Sequence, residues 1–333
     1  MRKNGFEAPL EPLQVLTWVL LLLIVGGFYS FIVPALAQVW AIVAGLVYGV
    51  LASSTVLAGI LACLRDPIDP NVRRFHQGET AAGSAADKTF CFLCQLHVNK
   101  GSRHCRYCDK CVDRFDHHCK WLNNCVGRSN YRYFVTLLVS TFFMTSIQLG
   151  ISSWFAIMYH SDNVAFSDRV EGRYARLGGT GHIVLVYAFA VLVLPFLGLL
   201  AQLLGFHIML ISRNLTTYDY IVQEQRKERE RKERRRILDK VVEVLCFWSL
   251  MTSARLRVIS PCLVLYSGVS IHVFEQDRGA QRVKKQTLHT YVSPDSLKGG
   301  RGSHVKPSDS ANNNDHFFYI SATFAQRFSY AAD

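Results

Sequence analysis

Residues 91–125 read CFLCQLHVNKGSRHCRYCDKCVDRFDHHCKWLNNC and hold seven of the ten cysteines of a 333-residue chain. Asp116-His117-His118-Cys119 stands near the end of this stretch, and long apolar runs flank it on both sides. About twenty mostly apolar residues cross a bilayer as a helix, and residues 13–33, 36–64, 133–159 and 182–211 each supply that length. The chain reads as an all-α polytopic membrane protein, with four transmembrane helices and the cysteine-rich stretch between helices 2 and 3.

Composition agrees with this reading. Half of the residues are apolar and the mean hydropathy is +0.14, which sets aside an ordinary pair of soluble domains. The first run lacks a small-residue cleavage site and continues almost directly into the second, so it is expected to be a retained helix rather than a signal peptide. A net charge of +12 raises nucleic acid as a partner, but the cations sit where membrane topology places them. Arg2 and Lys3 precede the first run, and Arg65, Arg73 and Arg74 follow the second. Arg128 and Arg132 precede the third, and Arg213 with a long Arg/Lys run follows the fourth. By the positive-inside rule both termini and the cysteine-rich stretch are cytosolic, and no nucleic acid is expected. The partition is then a cytosolic N-terminus (1–12), helices 1 and 2 (13–64), a cytosolic linker and cysteine-rich domain (65–132, core 91–125), helices 3 and 4 with a luminal loop at 160–181 (133–211), and a cytosolic tail (212–333).

Smaller features fit the partition. Pro34 suits a tight luminal turn between helices 1 and 2, and Gly26, Gly27, Gly45 and Gly49 are expected packing sites between helices. Asp66-Pro67 ends helix 2. Residues 77–88 read as a flexible linker. Residues 223–236 read as a solvated helix with i,i+4 ion pairs, with anionic lipid headgroups as a further attraction. Apolar runs at 241–250 and 258–273 are short for spanning and are expected on the membrane surface or against the bundle. The tail after about residue 277 is polar and expected to be flexible, while Cys246 and Cys262 are juxtamembrane thiols open to lipidation.

In a reducing compartment clustered cysteines point to metal or reactive thiols rather than disulfides. Cys91-x2-Cys94 and Cys105-x2-Cys108 have the bite that places two sulfurs at adjacent corners of a tetrahedron. His104, Cys111, His118 and Cys125 are further donors. Eight donors make two closed four-coordinate zinc sites and leave Cys119 without a metal. Spacing alone does not say which donor joins which metal.

The run Cys-x2-Cys, His-Cys-x2-Cys-x2-Cys, Asp-His-His-Cys, Trp-x2-Asn-Cys-Val-Gly-x2-Asn closely resembles the cysteine-rich domain of the DHHC protein S-acyltransferases, the palmitoyltransferases. The resemblance extends over about 13–220, with Asp66-Pro67 as an Asp-Pro motif and Thr216-Thr217-Tyr218-Asp219 in place of Thr-Thr-x-Glu. It implies one structural zinc on Cys91, Cys94, His104 and Cys111 and another on Cys105, Cys108, His118 and Cys125. It also implies acyl transfer by Cys119 as nucleophile, His117 as its base and Asp116 as the group that orients His117.

A thiolate is the competent nucleophile, and an adjacent imidazole backed by a carboxylate supplies one. Lys120 and the metal sites are nearby charges that favour the thiolate. The implied reaction is ping-pong: Cys119 takes a long-chain acyl group from acyl-CoA, such as palmitoyl-CoA, and passes it to cysteines of proteins at the cytosolic membrane face. The acyl tail is expected among the helices, with CoA phosphates met by cations such as Arg103, Arg106, Arg128 and Arg132, which also serve as plain positive-inside residues. Trp121 is an expected interfacial anchor. The family suggests endoplasmic reticulum, Golgi or other endomembranes. Three departures stand out: Asn99 to Arg103 lack the family's proline, Lys120 replaces a proline after the cysteine, and Asp219 is one methylene shorter than Glu. They motivate a second reading, a weakly active or inactive member acting as a membrane scaffold or adaptor. The threonines and Asp219 are expected to dock the cysteine cluster onto the helix ends.

Overall fold

A computed structural model describes residues 1–79, 88–174, 177–253, 263–267, 270–274 and 287–288. Most of the expected linker, Cys262 and nearly all of the tail after residue 277 lie outside these residues. Residues 1–223 form one compact unit. In chain order it contains α1 (Pro12–Gly27), α2 (Gln38–Leu64), α3 (Pro70–His76), β1 (Lys88–Cys91), β2 (Leu96–Asn99), β3 (Arg103–Cys105), β4 (Lys110–Val112), β5 (His117–Cys119) and β6 (Asn124–Val126). Helices α4 (Tyr131–Ser161), α5 (Asn163–Tyr174) and α6 (Gly178–Ser212) follow, and then α7 (Thr217–Ser253) begins.

Among the described residues four helices are long and apolar enough to cross a membrane: Pro12–Ala35, Gln38–Leu64, Tyr131–Ser161 and Gly178–Ser212. The first is α1 lengthened by a π turn and a 3-10 turn through Pro34. Helix α4 packs against both α2 and α6. Polar side chains inside the bundle pair across helices, as lipid offers them nothing else. Tyr48 stacks on Phe28 with centroids 3.6 Å apart and donates to Gln148 Oε1 at 2.8 Å, and Thr55 donates to Ser140 at 2.9 Å. Of the small-residue packing sites, Gly27 lies under Phe189 and Gly49 under the Tyr29 hydroxyl, whereas a Cβ on Gly26 would meet nothing within 4 Å. Gly26 is therefore not a close-approach site.

The expected luminal loop contains a helix. Asp162 accepts from the Ala165 amide at 3.0 Å, and Phe166 and Val170, one turn apart, bury completely against the bundle. A single turn of apolar spacing within mixed charge is too weak a periodic signal to read in sequence. The charged run at 223–236 and the apolar run at 241–250 are both part of α7, with ion pairs such as Lys232–Glu228 at 3.5 Å. The run at 258–273 supplies β7 (Leu263–Ser267) and β8 (Ser270–Phe274), which with β9 (Thr287–Leu288) make an antiparallel sheet in the second unit of the chain.

The cysteine-rich segment hangs from the end of α2. Helix carbonyls at a C-terminus have no intrahelical partners, and Asn124 Nδ2 faces those of Ala62, Cys63 and Arg65 at 3.1, 3.0 and 3.0 Å. Asn130 adds a bond to the Ala62 carbonyl at 3.1 Å and another to that of Cys125 at 2.8 Å. Asp66 of the Asp-Pro motif pairs at 2.6 Å with Lys110, whose side chain is fully buried. At Gly127 any Cβ would lie 2.7 Å from the Asp113 carbonyl oxygen, so only glycine fits.

Candidate metal centres and thiol site

Three antiparallel hairpins carry the cysteines, and they repeat. Cys91, Cys105 and Cys119 are fourteen residues apart and pair with Leu96, Lys110 and Asn124 in one register. Each is followed four residues later by a residue in the left-handed region: Gln95 (φ 54°), Asp109 (51°) and Asn123 (52°). In the first two repeats the second cysteine of the turn is Cys94 or Cys108; in the third that position is Leu122. Cys119 is thus a metal-knuckle cysteine whose partner sulfur has been replaced. The fourteen-residue period is visible in the sequence and is the signal that separates Cys119 from the ligands.

Strand alternation distributes the donors. Residues directly opposite in a ladder share a face, and successive residues alternate faces. His104 faces Cys111, and His118 faces Cys125. Cys105 therefore points away from His104 toward the other group, and His117 and Cys119 point away from His118. Two groups result, Cys91, Cys94, His104 and Cys111, and Cys105, Cys108, His118 and Cys125, with all ligand atoms of a group within 4.8 Å of one another.

Both groups fit zinc. Ligand atoms of a tetrahedral zinc with Cys and His donors are about 3.6–3.8 Å apart. Here Cys94 Sγ lies 3.2 Å from His104 Nδ1 and 3.7 Å from Cys111 Sγ. His118 Nδ1 lies 3.7, 3.4 and 3.6 Å from the sulfurs of Cys105, Cys108 and Cys125. Hydrogen bonds from the Cys108 and Cys125 thiols hold Cys105 down at about 3, while burial and the neighbouring thiols push Cys125 up. Sulfurs packed this closely ionise together only around a cation. His104 turns its other nitrogen toward Asp109 at 3.7 Å, a carboxylate placement that orients metal-binding imidazoles.

On the opposite face of β5, Asp116 Oδ2 lies 2.7 Å from His117 Nδ1, and Asp116 is buried. Thr217 binds the same carboxylate with its amide (2.8 Å, to Oδ1) and its hydroxyl (2.8 Å, to Oδ2). Thr216 and Asp219 cap α7 reciprocally, at 2.8 and 3.1 Å, so the carboxylate sits at the positive end of a helix. Burial opposes charging of His117, but hydrogen bonds with Asp116 and Cys119 prevail and raise it to about 10. Burial likewise opposes ionisation of Asp116, and His117 outweighs it, lowering the carboxyl below its ordinary value.

Cys119 is buried in a cluster with Ala62, Leu122, Phe134 and Leu138, against which Trp121, Leu200 and Leu204 pack. Its surroundings are the ends of three of the membrane-length helices, α2, α4 and α6. Lys120 lies over the ring of Tyr107 at 5.8 Å, which itself stacks on His118. Among the proposed headgroup cations, Arg128 is paired with Asp113 at 2.9 Å and Arg103 lies over Tyr218 at 5.1 Å. Sequence reasoning missed His207 of α6, whose ring centroid is 6.1 Å from that of His117 and whose Nδ1 meets the Tyr131 hydroxyl at 3.2 Å. An imidazole inside an apolar run was its available signal.

A family model described as DHHC palmitoyltransferase matches residues 84–224. The human palmitoyltransferase ZDHHC11 is 30% identical over 252 residues, 68% of this chain and 61% of that protein. Its mouse counterpart is 30% identical over 253 residues, 68% of this chain and 72% of that protein. The mouse palmitoyltransferase ZDHHC1 is 33% identical over 266 residues, 72% of this chain and 54% of that protein. The chain thus spans between about half and three quarters of these relatives' lengths. With the two Cys/His clusters, the Asp-His-His-Cys strand and the four helices, these matches show that the chain belongs to the DHHC palmitoyltransferase family.

Proposed function

We propose that this protein is a multi-pass membrane protein S-acyltransferase, transferring a long-chain acyl group from acyl-CoA through Cys119 to cysteines of proteins at the cytosolic membrane face. The observation that carries the reading is the contact of Asp116, His117 and Cys119 on the metal-free face of β5, with the sulfur buried at the ends of the apolar helices.

His117, its Nδ1 facing Asp116 and its ring hydrogen-bonded to Cys119, takes the proton of the thiol and leaves the thiolate that is the competent nucleophile. The thiolate attacks the thioester carbonyl carbon, and the bond from that carbon to the CoA sulfur breaks. The departing CoA sulfur takes the proton from His117. Neutral His117 then removes the proton of an incoming protein thiol, whose sulfur attacks the acyl group on Cys119. Cys119 leaves as thiolate beside a recharged His117, and the cycle closes. Asp116, buried and fixed by Thr217, holds the imidazole in one tautomer and steadies its charge. Cys91, Cys94, His104 and Cys111, and Cys105, Cys108, His118 and Cys125, would each hold a zinc as scaffold, which would lock hairpins that have little core of their own and fix β5 in space. Both termini face the cytosol, and the host membranes are endoplasmic reticulum, Golgi or related endomembranes.

Purified protein incubated with labelled palmitoyl-CoA is expected to form a hydroxylamine-sensitive adduct that Cys119→Ser abolishes. Undiminished labelling of that variant overturns the nucleophile assignment.

A further inference from the structure

The turn of the third hairpin, Lys120 to Asn123, lacks the feature that pins the other two. In those turns the second cysteine, Cys94 or Cys108, belongs to a metal cluster; Leu122 stands at the matching place and has no sulfur to offer. The turn is instead held by groups from outside the cysteine-rich segment. The Leu122 carbonyl accepts from Gln14 Nε2 at 3.3 Å and from Cys63 Sγ at 3.3 Å. Asn123 Nδ2 faces the carbonyls of Gly5 (3.2 Å) and Pro9 (3.1 Å). Gln14 also donates to the Gly5 carbonyl at 3.0 Å, and the Gly5 amide donates to that of Cys63 at 2.8 Å. Gly5 fits so closely that a Cβ there would lie 2.1 Å from the Leu122 oxygen. Gln14 and Asn123 are both buried. Further out, the Arg2 amide donates to the Cys108 carbonyl at 2.9 Å and buried Lys110 donates to the Arg2 carbonyl.

We infer that the N-terminal segment, latched by Gln14 and Asn123, takes the place of a metal in the third hairpin and sets the position of Cys119 for acyl transfer. Cys119 is the last residue of β5 and pairs with Asn124 directly after the turn, so a displaced turn carries the sulfur away from His117. A sulfur held by a structural zinc shares its lone pair with the metal and is a weaker nucleophile; hydrogen bonds to a backbone carbonyl fix the turn and leave the thiol free. Gln14 opens the first membrane helix, so the latch also ties the reacting strand to that helix. This inference rests on the acyl-transfer reading, and Gln14 and Asn123 are positioning residues.

The test uses full-length protein in nanodiscs with Gln14→Met and Gly5→Ala. Met preserves size and removes both N–H groups; it orphans no donor, because Gln14 Oε1 is unpaired among the described residues, and the Gly5 and Leu122 carbonyls keep bonds from Asn123 Nδ2 and Cys63 Sγ. Four quantities are measured: the self-acylation rate against palmitoyl-CoA concentration, zinc per chain, melting temperature, and the rate at which iodoacetamide alkylates Cys119, mapped by mass spectrometry. Both variants are expected to self-acylate on the order of tenfold more slowly at saturating palmitoyl-CoA, since small misplacement of reacting groups is expensive. The half-saturating concentration and zinc content should match wild type, and alkylation of Cys119 should change severalfold. An unchanged maximal rate overturns the inference, as does a slowing matched by loss of zinc or of melting temperature. If wild-type protein takes no acyl label, the acyl-transfer reading fails, while alkylation still reports whether the latch sets Cys119.

Discussion

Thr217 binds both oxygens of Asp116, its amide to Oδ1 and its hydroxyl to Oδ2, each at 2.8 Å, across 101 residues of sequence. The first turn of α7 is therefore part of the apparatus that orients His117. Hydrogen bonds to a charged group contribute about 1.5–3 kcal/mol. Thr217→Val removes the hydroxyl and leaves the amide, so self-acylation should slow by roughly tenfold or somewhat more at this energy. Thr217→Ser should stay near wild type. Rapid-quench labelling of Cys119 measures both.

His117 also implies a pH dependence of stability. Its folded value, about 10, lies above its ordinary 6.5, so the stabilisation is complete below about 6.5 and is lost as pH rises toward 10. The difference in melting temperature between wild type and His117→Phe should narrow steadily on the alkaline side. A difference that stays constant from neutral pH to about pH 10 contradicts the assignment.

Interleaving of the two clusters predicts their coupling. His104 and Cys105 are adjacent in β3 yet face different groups, so Cys111→Ser should disturb more than its own site. Zinc content should fall below one per chain, against the two expected of wild type, and self-acylation should be lost with it. Elemental analysis of the purified variant decides the first, and acyl labelling the second.

Leu122→Cys restores the missing sulfur of the third hairpin. It should create a Cys-x2-Cys pair with Cys119 that captures soft metal, so that cadmium at low micromolar concentration blocks acyl labelling of this variant and spares wild type. Equal sensitivity of the two proteins would count against the repeat.

Asn124 and Asn130 cap the end of α2. Asn124→Ala leaves the Arg65 carbonyl without its donor, at about 1–3 kcal/mol for an unsatisfied group, and removes one of two donors from the carbonyls of Ala62 and Cys63. Thermal unfolding should shift down by several degrees, and zinc retention after mild chelation should be shorter.

Different parts of this architecture were legible for different physical reasons. The membrane helices follow from composition alone, because lipid demands long apolar runs whatever their order. The Cys/His donors follow from local spacing, and Asp116, His117 and Cys119 are neighbours in sequence as they are in space. Thr217 was legible as a docking residue only through the Thr-Thr motif, and its hold on Asp116 follows from its place at a helix start. His207 and Gln14 have no such motif, nothing periodic marks them, and each meets the site through tertiary packing. The helix at Asn163–Tyr174 escaped for a related reason, its apolar face being only Phe166 and Val170.

The alternation of β5 gives the site an unusual tolerance rule. Many single substitutions around Cys119 leave its orientation alone, since a β-strand assigns faces by parity of position rather than by side-chain identity. Deleting or inserting one residue within His117–Cys119 reverses that parity. The nucleophile would then turn toward the Cys105, Cys108 and Cys125 sulfurs, and a former ligand would occupy the acyl-transfer face. Chain length within this hairpin is thus as much a determinant of chemistry as the residues themselves, and drift in this segment should proceed by replacement, never by single-residue indels.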